Sequence, residues 1–411
     1  MRDEKNDLIL KPACDPQIWM LDPEVTFLNH GSFGSCPRSV LQYQQELRQR
    51  LERQPVRFLA RELEGMLDHA RGALGRFLGA DPDDLVFVPN STAGVNTVLR
   101  SLAFQEGDEL LVTDHEYNAC RNALEFVAEQ SGARVVVARI PFPLAHPDQV
   151  IEAVLQAVTS RTRLALLDHV TSQTGMVLPI ARLVRELAER GVETLVDGSH
   201  APGMVPLDLR ELGAAYYTGN CHKWLCAPKG AGFLFVQRER QGSIRPLSIS
   251  HGANSPRVDR SRFLIEFGWT GTNDPTAVLS VPVALQFVGS LLPGGWPEIM
   301  GRNRSLVLAG REILCEALRI ESPCLEEMIG SLASVPIPAA PRAAAPSSPL
   351  YSDPLQDRLY AEYGIEVPVI PWPTVDRHAA AQPRLLRISA QLYNSLPQYQ
   401  ILADALGKLL A

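Results

Sequence analysis

The sequence predicts an α/β fold, with a mostly parallel seven-stranded sheet in a large domain and a smaller α+β domain after it. Three observations carry this expectation. Short apolar runs recur from residue 85 onward, at 85–88, 109–112, 135–137, 164–167, 194–196, 214–217 and 233–236. Helical periodicity separates most of them, and strand–helix alternation builds a parallel sheet covered on both faces. The polar residues able to do chemistry fall just after these runs, where open α/β sheets bind ligands.

Taken in order, residues 1–25 read as an irregular N-terminal arm. Residues 26–37, Thr-Phe-Leu-Asn-His-Gly-Ser-Phe-Gly-Ser-Cys-Pro, read as a short strand and a glycine-rich loop. Ser39 is placed to cap a polar helix running to about Arg53, and a second helix spans roughly 57–78. The large domain is expected over 26–255. Beyond it the pattern weakens, and a helix near 275–292 leads into a small C-terminal domain over 256–411. Residues 335–349, rich in Pro and Ala, read as a flexible insertion.

Composition narrows the function. With 411 residues, 45% of them hydrophobic, the chain can bury a large core. A net charge of -7 argues against nucleic acid or an anionic membrane as the main partner. No apolar run has the length of about 20 residues that a membrane helix needs. The opening Met-Arg-Asp-Glu-Lys-Asn-Asp-Leu-Ile-Leu-Lys lacks a signal-peptide core. Seven scattered cysteines without a Cys-x-x-Cys pair suit a reduced, cytoplasmic protein.

The chemistry centres on Lys223, in Thr218-Gly219-Asn220-Cys221-His222-Lys223-Trp224. Upstream, the run Thr194-Leu195-Val196 ends in Asp197-Gly198-Ser199-His200. A carboxylate and a lysine at neighbouring strand mouths suggest a pyridoxal phosphate site, with Lys223 forming the Schiff base and Asp197 keeping the pyridine nitrogen protonated. A lone buried carboxylate is costly without a cation, and a pyridinium is one. Asn90-Ser91-Thr92-Ala93-Gly94 opens a helix after the first strand and suits a phosphate, although an ordinary helix cap looks the same. Thr113-Asp114-His115-Glu116-Tyr117-Asn118 offers an aromatic face, or a plain polar turn. Asp168-His169-Val170-Thr171-Ser172-Gln173-Thr174-Gly175 could bond a phenolic oxygen or form a simple loop. Arg387, in Leu385-Leu386-Arg387-Ile388-Ser389, fits a carboxylate bidentately or a surface ion pair. A metal on Asp197, His200 and His222 is disfavoured because the adjacent lysine would repel it. No metal is expected.

Together these segments resemble the class V aminotransferase family of fold-type-I pyridoxal phosphate enzymes. Phe27-Leu28-Asn29-His30-Gly31-Ser32-Phe33-Gly34, Gln54-Pro55-Val56-Arg57-Phe58 and the Gly-Asn-x-His-Lys-Trp form are most similar to the isopenicillin N epimerase-like branch. The resemblance implies that Ser91, Thr92 and Ala93 hold phosphate with Asn220 and His222. It also implies that Tyr117 stacks on the ring, with His115 as a rival one register away. Ser172 and His200 would contact the phenolic oxygen, and Thr272, in Thr270-Gly271-Thr272, would reach a partner's phosphate in a homodimer with shared sites. Arg387 would grip the substrate α-carboxylate, with Asn29 and His30 nearby. Arg57 could meet a second carboxylate or form a helix-surface ion pair. Glu362-Tyr363-Gly364-Ile365-Glu366-Val367-Pro368-Val369-Ile370-Pro371, matching the loop that carries a nucleophilic cysteine in desulfurases, contains none, which argues against persulfide chemistry. The implied activity is pyridoxal-phosphate chemistry at the α-carbon of a small amino-acid substrate, of the epimerase type. The alternatives are a C–S lyase, an aminotransferase and, from another class, a non-catalytic binding protein on the same fold.

Overall fold

The structure is a computed structural model that describes residues 9–341, 353–372 and 381–410. Its central sheet has seven strands: β1 (Leu85–Val88), β2 (Glu109–Thr113), β3 (Arg134–Ala138), β4 (Thr162–Asp168), β5 (Glu193–Asp197), β6 (Tyr216–Asn220) and β7 (Gly232–Val236). Their spatial order is β1-β7-β6-β5-β4-β2-β3. Every neighbouring pair from β3 to β6 is parallel, and only β7 runs against its neighbours.

Side chains alternate across the sheet, so one strand feeds two cores. Leu164 and Leu166 of β4 join one apolar cluster, with Leu110, Val112 and Leu195. Ala165 and Leu167 join the other, with Leu111 and Val196. Fully burying one such leucine contributes about 1.5–3 kcal/mol, so both faces must be covered. That is why the strands read as unbroken apolar runs rather than alternating ones.

The helix Ser91–Ser101 leaves β1 and lies directly on β6: a Cβ on Gly94 would come 2.1 Å from Thr218 Oγ1. Glycine is required for that contact, and the contact holds the helix N-terminus against the β6 mouth.

A second sheet follows, made of β8 (Leu332–Pro341), β9 (Val369–Pro371) and β10 (Ala381–Ser389), antiparallel with β10 in the centre. Residues 335–341 were expected to be part of a flexible insertion but form most of β8. Pro336, Pro338 and Pro341 are tolerated because β8 is an edge strand, where a missing N–H breaks no inner ladder. The rest of that stretch, 342–349, lies outside the described residues, as do residues 1–8 of the arm. Thr26–Phe27 pairs in parallel with Ile365–Glu366. This pairing draws the N-terminal segment towards the second sheet.

Three local expectations also change. The helix Arg38–Arg53 is preceded by Pro37, so Ser39 sits inside its first turn rather than capping it. The glycine-rich loop contains a short helix, His30–Phe33, closed by Gly34 at φ 69°. A long helix, Gly295–Leu318, packs beside the second sheet and was not foreseen. Its buried face includes Asn303 and Arg311, which interrupt the apolar stripe. Asn303 donates to Gln391 Oε1 (3.0 Å) and Arg311 to the Cys324 carbonyl (2.9 Å).

Candidate active site

The C-terminal mouths of β1, β2, β4, β5 and β6 open on one side of the sheet, and the sequence-selected residues stand there. Asp197 ends β5 and is almost fully buried. Its Oδ1 accepts from the Ser199 N–H (2.9 Å) and hydroxyl (2.6 Å), and its Oδ2 from the Cys120 thiol (3.2 Å). These three donors lock the carboxylate's orientation.

Lys223 follows β6. Its Nζ lies 3.2 Å from His200 Nε2, while the Trp224 indole N–H donates to His200 Nδ1 (3.4 Å). Burial drives the imidazole well below its usual pKa, with Lys223 as the next cause. A neutral ring that accepts at Nδ1 carries its proton on Nε2. That proton points at Nζ, which accepts it when Lys223 is in its amine form. Consistently, burial lowers Lys223 to about 8, against an opposing pull from Asp197.

The anion end lies at the helix Ser91–Ser101. Asn90 Oδ1 caps it by accepting from the Ala93 N–H (2.9 Å), and Asn220 Oδ1 accepts from the Ser91 N–H (2.9 Å). Asn220 therefore orients the loop, and Ser91 Oγ is buried with no protein partner. Thr92 is half-buried beside it. His222 Nδ1 donates to the Ala231 carbonyl (3.2 Å), and burial lowers the imidazole to about 4.

Arg387, on β10, enters from the second sheet. Its Nη1 donates to the Ser172 carbonyl (2.6 Å) and hydroxyl (3.3 Å), and its Nη2 to Ser32 Oγ (2.8 Å) and Asn29 Oδ1 (3.5 Å). Asn29 in turn donates to Glu366 Oε1 (3.2 Å). The guanidinium thus joins three segments: the N-terminal turn, the β4 loop and the second sheet.

Of the other sequence-selected residues, His30 and His115 are buried in protein contacts, and Tyr117, Thr272 and Arg57 are exposed. The His30 ring is fully buried beneath the lysine loop, with Nδ1 at 2.8 Å from Tyr393 Oη and Nε2 at 3.1 Å from the Lys223 carbonyl. It supports the loop rather than facing the open pocket. His115 is committed to Thr174 Oγ1 (2.9 Å) and the Ile140 carbonyl (3.0 Å) and packs edge-on against Trp372. Tyr117 keeps 37% of its surface at the mouth of β2. Thr272 is exposed in an outer loop beside Gly271 (φ 119°). Arg57 is spent on Glu62 (2.6 Å).

Sequence reasoning overlooked Ser32, Cys120, Ser199, Trp224 and the carboxyls of Glu116 and Asp168. The signal for Asp168 was present, since β4 and β5 both end in Asp and the two residues are in register.

These donors fit pyridoxal phosphate. A locked buried carboxylate suits a protonated ring nitrogen, an unpartnered hydroxyl at a helix N-terminus suits a phosphate, and a free-amine lysine suits an aldehyde carbon.

The Aminotransferase class-V family profile matches residues 33–288. The chain is 37% identical to an isopenicillin N epimerase of Amycolatopsis lactamdurans, over 95% of this chain and 96% of that protein. It is 32% identical to a probable chloroplastic L-cysteine desulfhydrase of Arabidopsis thaliana, over 94% of this chain and 83% of that one. Among solved structures, the cystine C–S lyase C-DES, in complex with its product cysteine persulfide, superposes with a TM-score of 0.75 at 22% identity, covering 94% of this chain and 98% of that one. The chain belongs to the class V aminotransferase family and is a pyridoxal-phosphate-dependent enzyme.

Proposed function

We propose that the protein acts at the α-carbon of an amino acid or amino-acid derivative in the manner of an isopenicillin N epimerase, with Lys223 moving the α-proton. The observation carrying this reading is the placement of Lys223 Nζ against His200 Nε2 at 3.2 Å, where burial lowers the lysine to about 8 and eases release of its proton. Pyridoxal phosphate, when bound, supplies an electron sink that makes an α-proton acidic. Lys223 serves as its covalent anchor and, once released, accepts the proton at Nζ as general base. Asp197 holds the ring nitrogen. Ser91, Thr92 and Ala93 receive the phosphate, with Asn220 and His222 shaping that end. Tyr117 covers the ring face, and Ser172 and His200 line the phenolic side. Arg387 binds the α-carboxylate, with Asn29 fixing the guanidinium through Nη2.

The similarity to L-cysteine desulfhydrases favours one second reading, a C–S lyase that expels a β-thiolate after the same proton removal. Both readings share the site, since fold and site do not fix which bond breaks. We read the chain as two domains meeting near residue 255, acting as a cytoplasmic homodimer. The exposure of Thr272 in an outer loop supports the dimer. No helix among the described residues is long and apolar enough to cross a membrane.

The test is incubation with L-amino acids, cysteine and cysteine conjugates in deuterium oxide. Deuterium at Cα with the substrate otherwise intact, and the D-isomer accumulating, is the expected outcome. Pyruvate and thiol release selects the lyase. A keto acid without thiol release selects an aminotransferase, and no exchange with any substrate sinks the catalytic reading.

A further inference from the structure

Three adjacent strands of the sheet, β2, β4 and β5, each deliver a carboxyl to the same mouth. Glu116 follows β2, Asp168 ends β4, and Asp197 ends β5 in register with it. Glu116 and Asp168 are 5% and 3% exposed. Their side chains meet within hydrogen-bonding reach of each other. Yet no protein donor completes a hydrogen bond to Glu116 Oε1, Glu116 Oε2 or Asp168 Oδ2. The Tyr117 N–H lies beside the Glu116 carboxyl.

Two carboxylates cannot hydrogen-bond each other, because each only accepts. A carboxyl oxygen of Glu116, the Cys120 sulfur and an oxygen of Asp197 all lie within 4.8 Å of one another. At that separation a second full negative charge raises the proton affinity of its neighbour by roughly two orders of magnitude at an effective dielectric of about 20. A proton held between Glu116 and Asp168 turns their contact from a repulsion into a hydrogen bond.

We infer that Glu116 and Asp168 form a buried acid pair sharing one proton, and that this pair positions Asp197 as the carboxylate facing the ring nitrogen; its role rests on the pyridoxal phosphate reading. The groups that face the pair are Asp197 from β5, Cys120 and Arg121 from the helix Asn118–Ser131, and Lys223 from the loop after β6. Burial raises both acids well above their ordinary range; the charge of Asp197 adds to both, and that of Glu116 adds to Asp168. Arg121 and Lys223 oppose the shift without cancelling it. Were the pair fully ionised, Asp197 would sit beside two further negative charges. The shared proton prevents this, and the pair's hydrogen bond braces the β2 loop that carries Tyr117.

The pair is tested first in the protein stripped of pyridoxal phosphate, so that the result does not depend on the cofactor. Infrared spectra at pH 7 should contain a protonated-carboxyl band that disappears in Glu116→Gln and in Asp168→Asn but persists in Asp197→Asn. Pyridoxal phosphate affinity then tests the role. Glu116→Gln, whose amide replaces the shared proton with a permanent donor, should bind within about twofold of wild type, whereas Glu116→Ala, folded by circular dichroism, should bind at least about tenfold more weakly. A band absent from the wild type, or unchanged in Glu116→Gln, overturns the pair. Equal affinity in Glu116→Ala and wild type overturns its positioning role. A wild-type protein that shows the band but never binds pyridoxal phosphate sinks the cofactor reading and leaves the pair standing.

Discussion

The site gathers two opposed sets of side chains: three carboxyls, Glu116, Asp168 and Asp197, and four basic groups, Lys223, His200, His222 and Arg387. The acid side has more acceptors than donors, so its oxygens force a proton to be retained. The basic side is built the opposite way. Every imidazole there is pushed towards its neutral form by burial, and Lys223 is lowered to about 8. Among the four basic residues, Arg387 alone stays charged whatever the surroundings, because a guanidinium does not lose its proton in proteins. Both sides therefore minimise loose charge, one by holding a proton and the other by releasing them. What is left is one oriented carboxylate, one amine that gives up its proton readily and one fixed cation, which is what α-carbon chemistry on an amino acid requires.

Removing the free amine should break this arrangement most severely. Lys223→Ala is expected to abolish the covalently bound chromophore and to lower turnover by at least about a hundredfold, the scale of a lost general base. Borohydride trapping and the deuterium-exchange rate measure both, and retained exchange would remove Lys223 from its role. The fixed cation comes next. Arg387→Ala deletes the charged donors that join the Ser172 loop to Ser32 and Asn29. A hydrogen bond to a charged group is worth about 1.5–3 kcal/mol, so KM should rise roughly ten- to a hundredfold with the visible spectrum kept. A lost spectrum with an unchanged KM would instead make Arg387 a structural strut.

The pH response separates the two sides by sign. His30 is lowered to about 3 by burial, and His169 and His222 to about 4 by the same cause. These rings are neutral in the folded protein, so as pH falls below about 6.5 the unfolded chain takes up protons first. Stability is full above that pH and is lost as pH falls towards 4. Glu116 and Asp168 act in reverse: their folded values are raised, so their contribution is present in acid and is lost as pH rises. Melting temperatures of the cofactor-free protein should fall from pH 7 to 4, and Glu116→Gln should melt higher than wild type on the alkaline side alone. A flat acid limb would contradict the neutral histidines, and a gain for Glu116→Gln in acid would contradict the acid pair.

Much of this was legible because a doubly covered sheet writes itself as apolar runs with polar residues at their ends. Asp197 and Lys223 stand out for that reason. Where two elements far apart in the chain must meet, the sequence is silent. Glu116 and Asp168 lie inside segments already singled out, but their pairing depends on β4 lying between β2 and β5, an order unrelated to chain order. His30 looks like a pocket residue until the pairing of Thr26–Phe27 with Ile365–Glu366 fixes the path of the N-terminal segment. The second sheet was obscured by prolines that only an edge strand tolerates, and the helix Gly295–Leu318 by polar residues whose partners lie on other elements.

Arg57 should give the smallest effect. As part of a segment shared with the epimerase-like branch it could have met a second substrate carboxylate, outside the charge pattern drawn here. Instead its Nε lies 2.6 Å from Glu62 Oε1, and Arg50 holds the other oxygen at 2.6 Å. Both arginine side chains are more than half exposed, at 61% and 53%. Such pairs are screened by salt and contribute little, and Glu62 keeps Arg50 when Arg57 is removed. Arg57→Ala is therefore expected to leave kcat, KM and the melting temperature at their wild-type values with every substrate tested. A rise in KM confined to substrates with a distal carboxylate would show that the Arg57 side chain leaves Glu62 to bind them, extending the basic side of the pocket beyond Arg387.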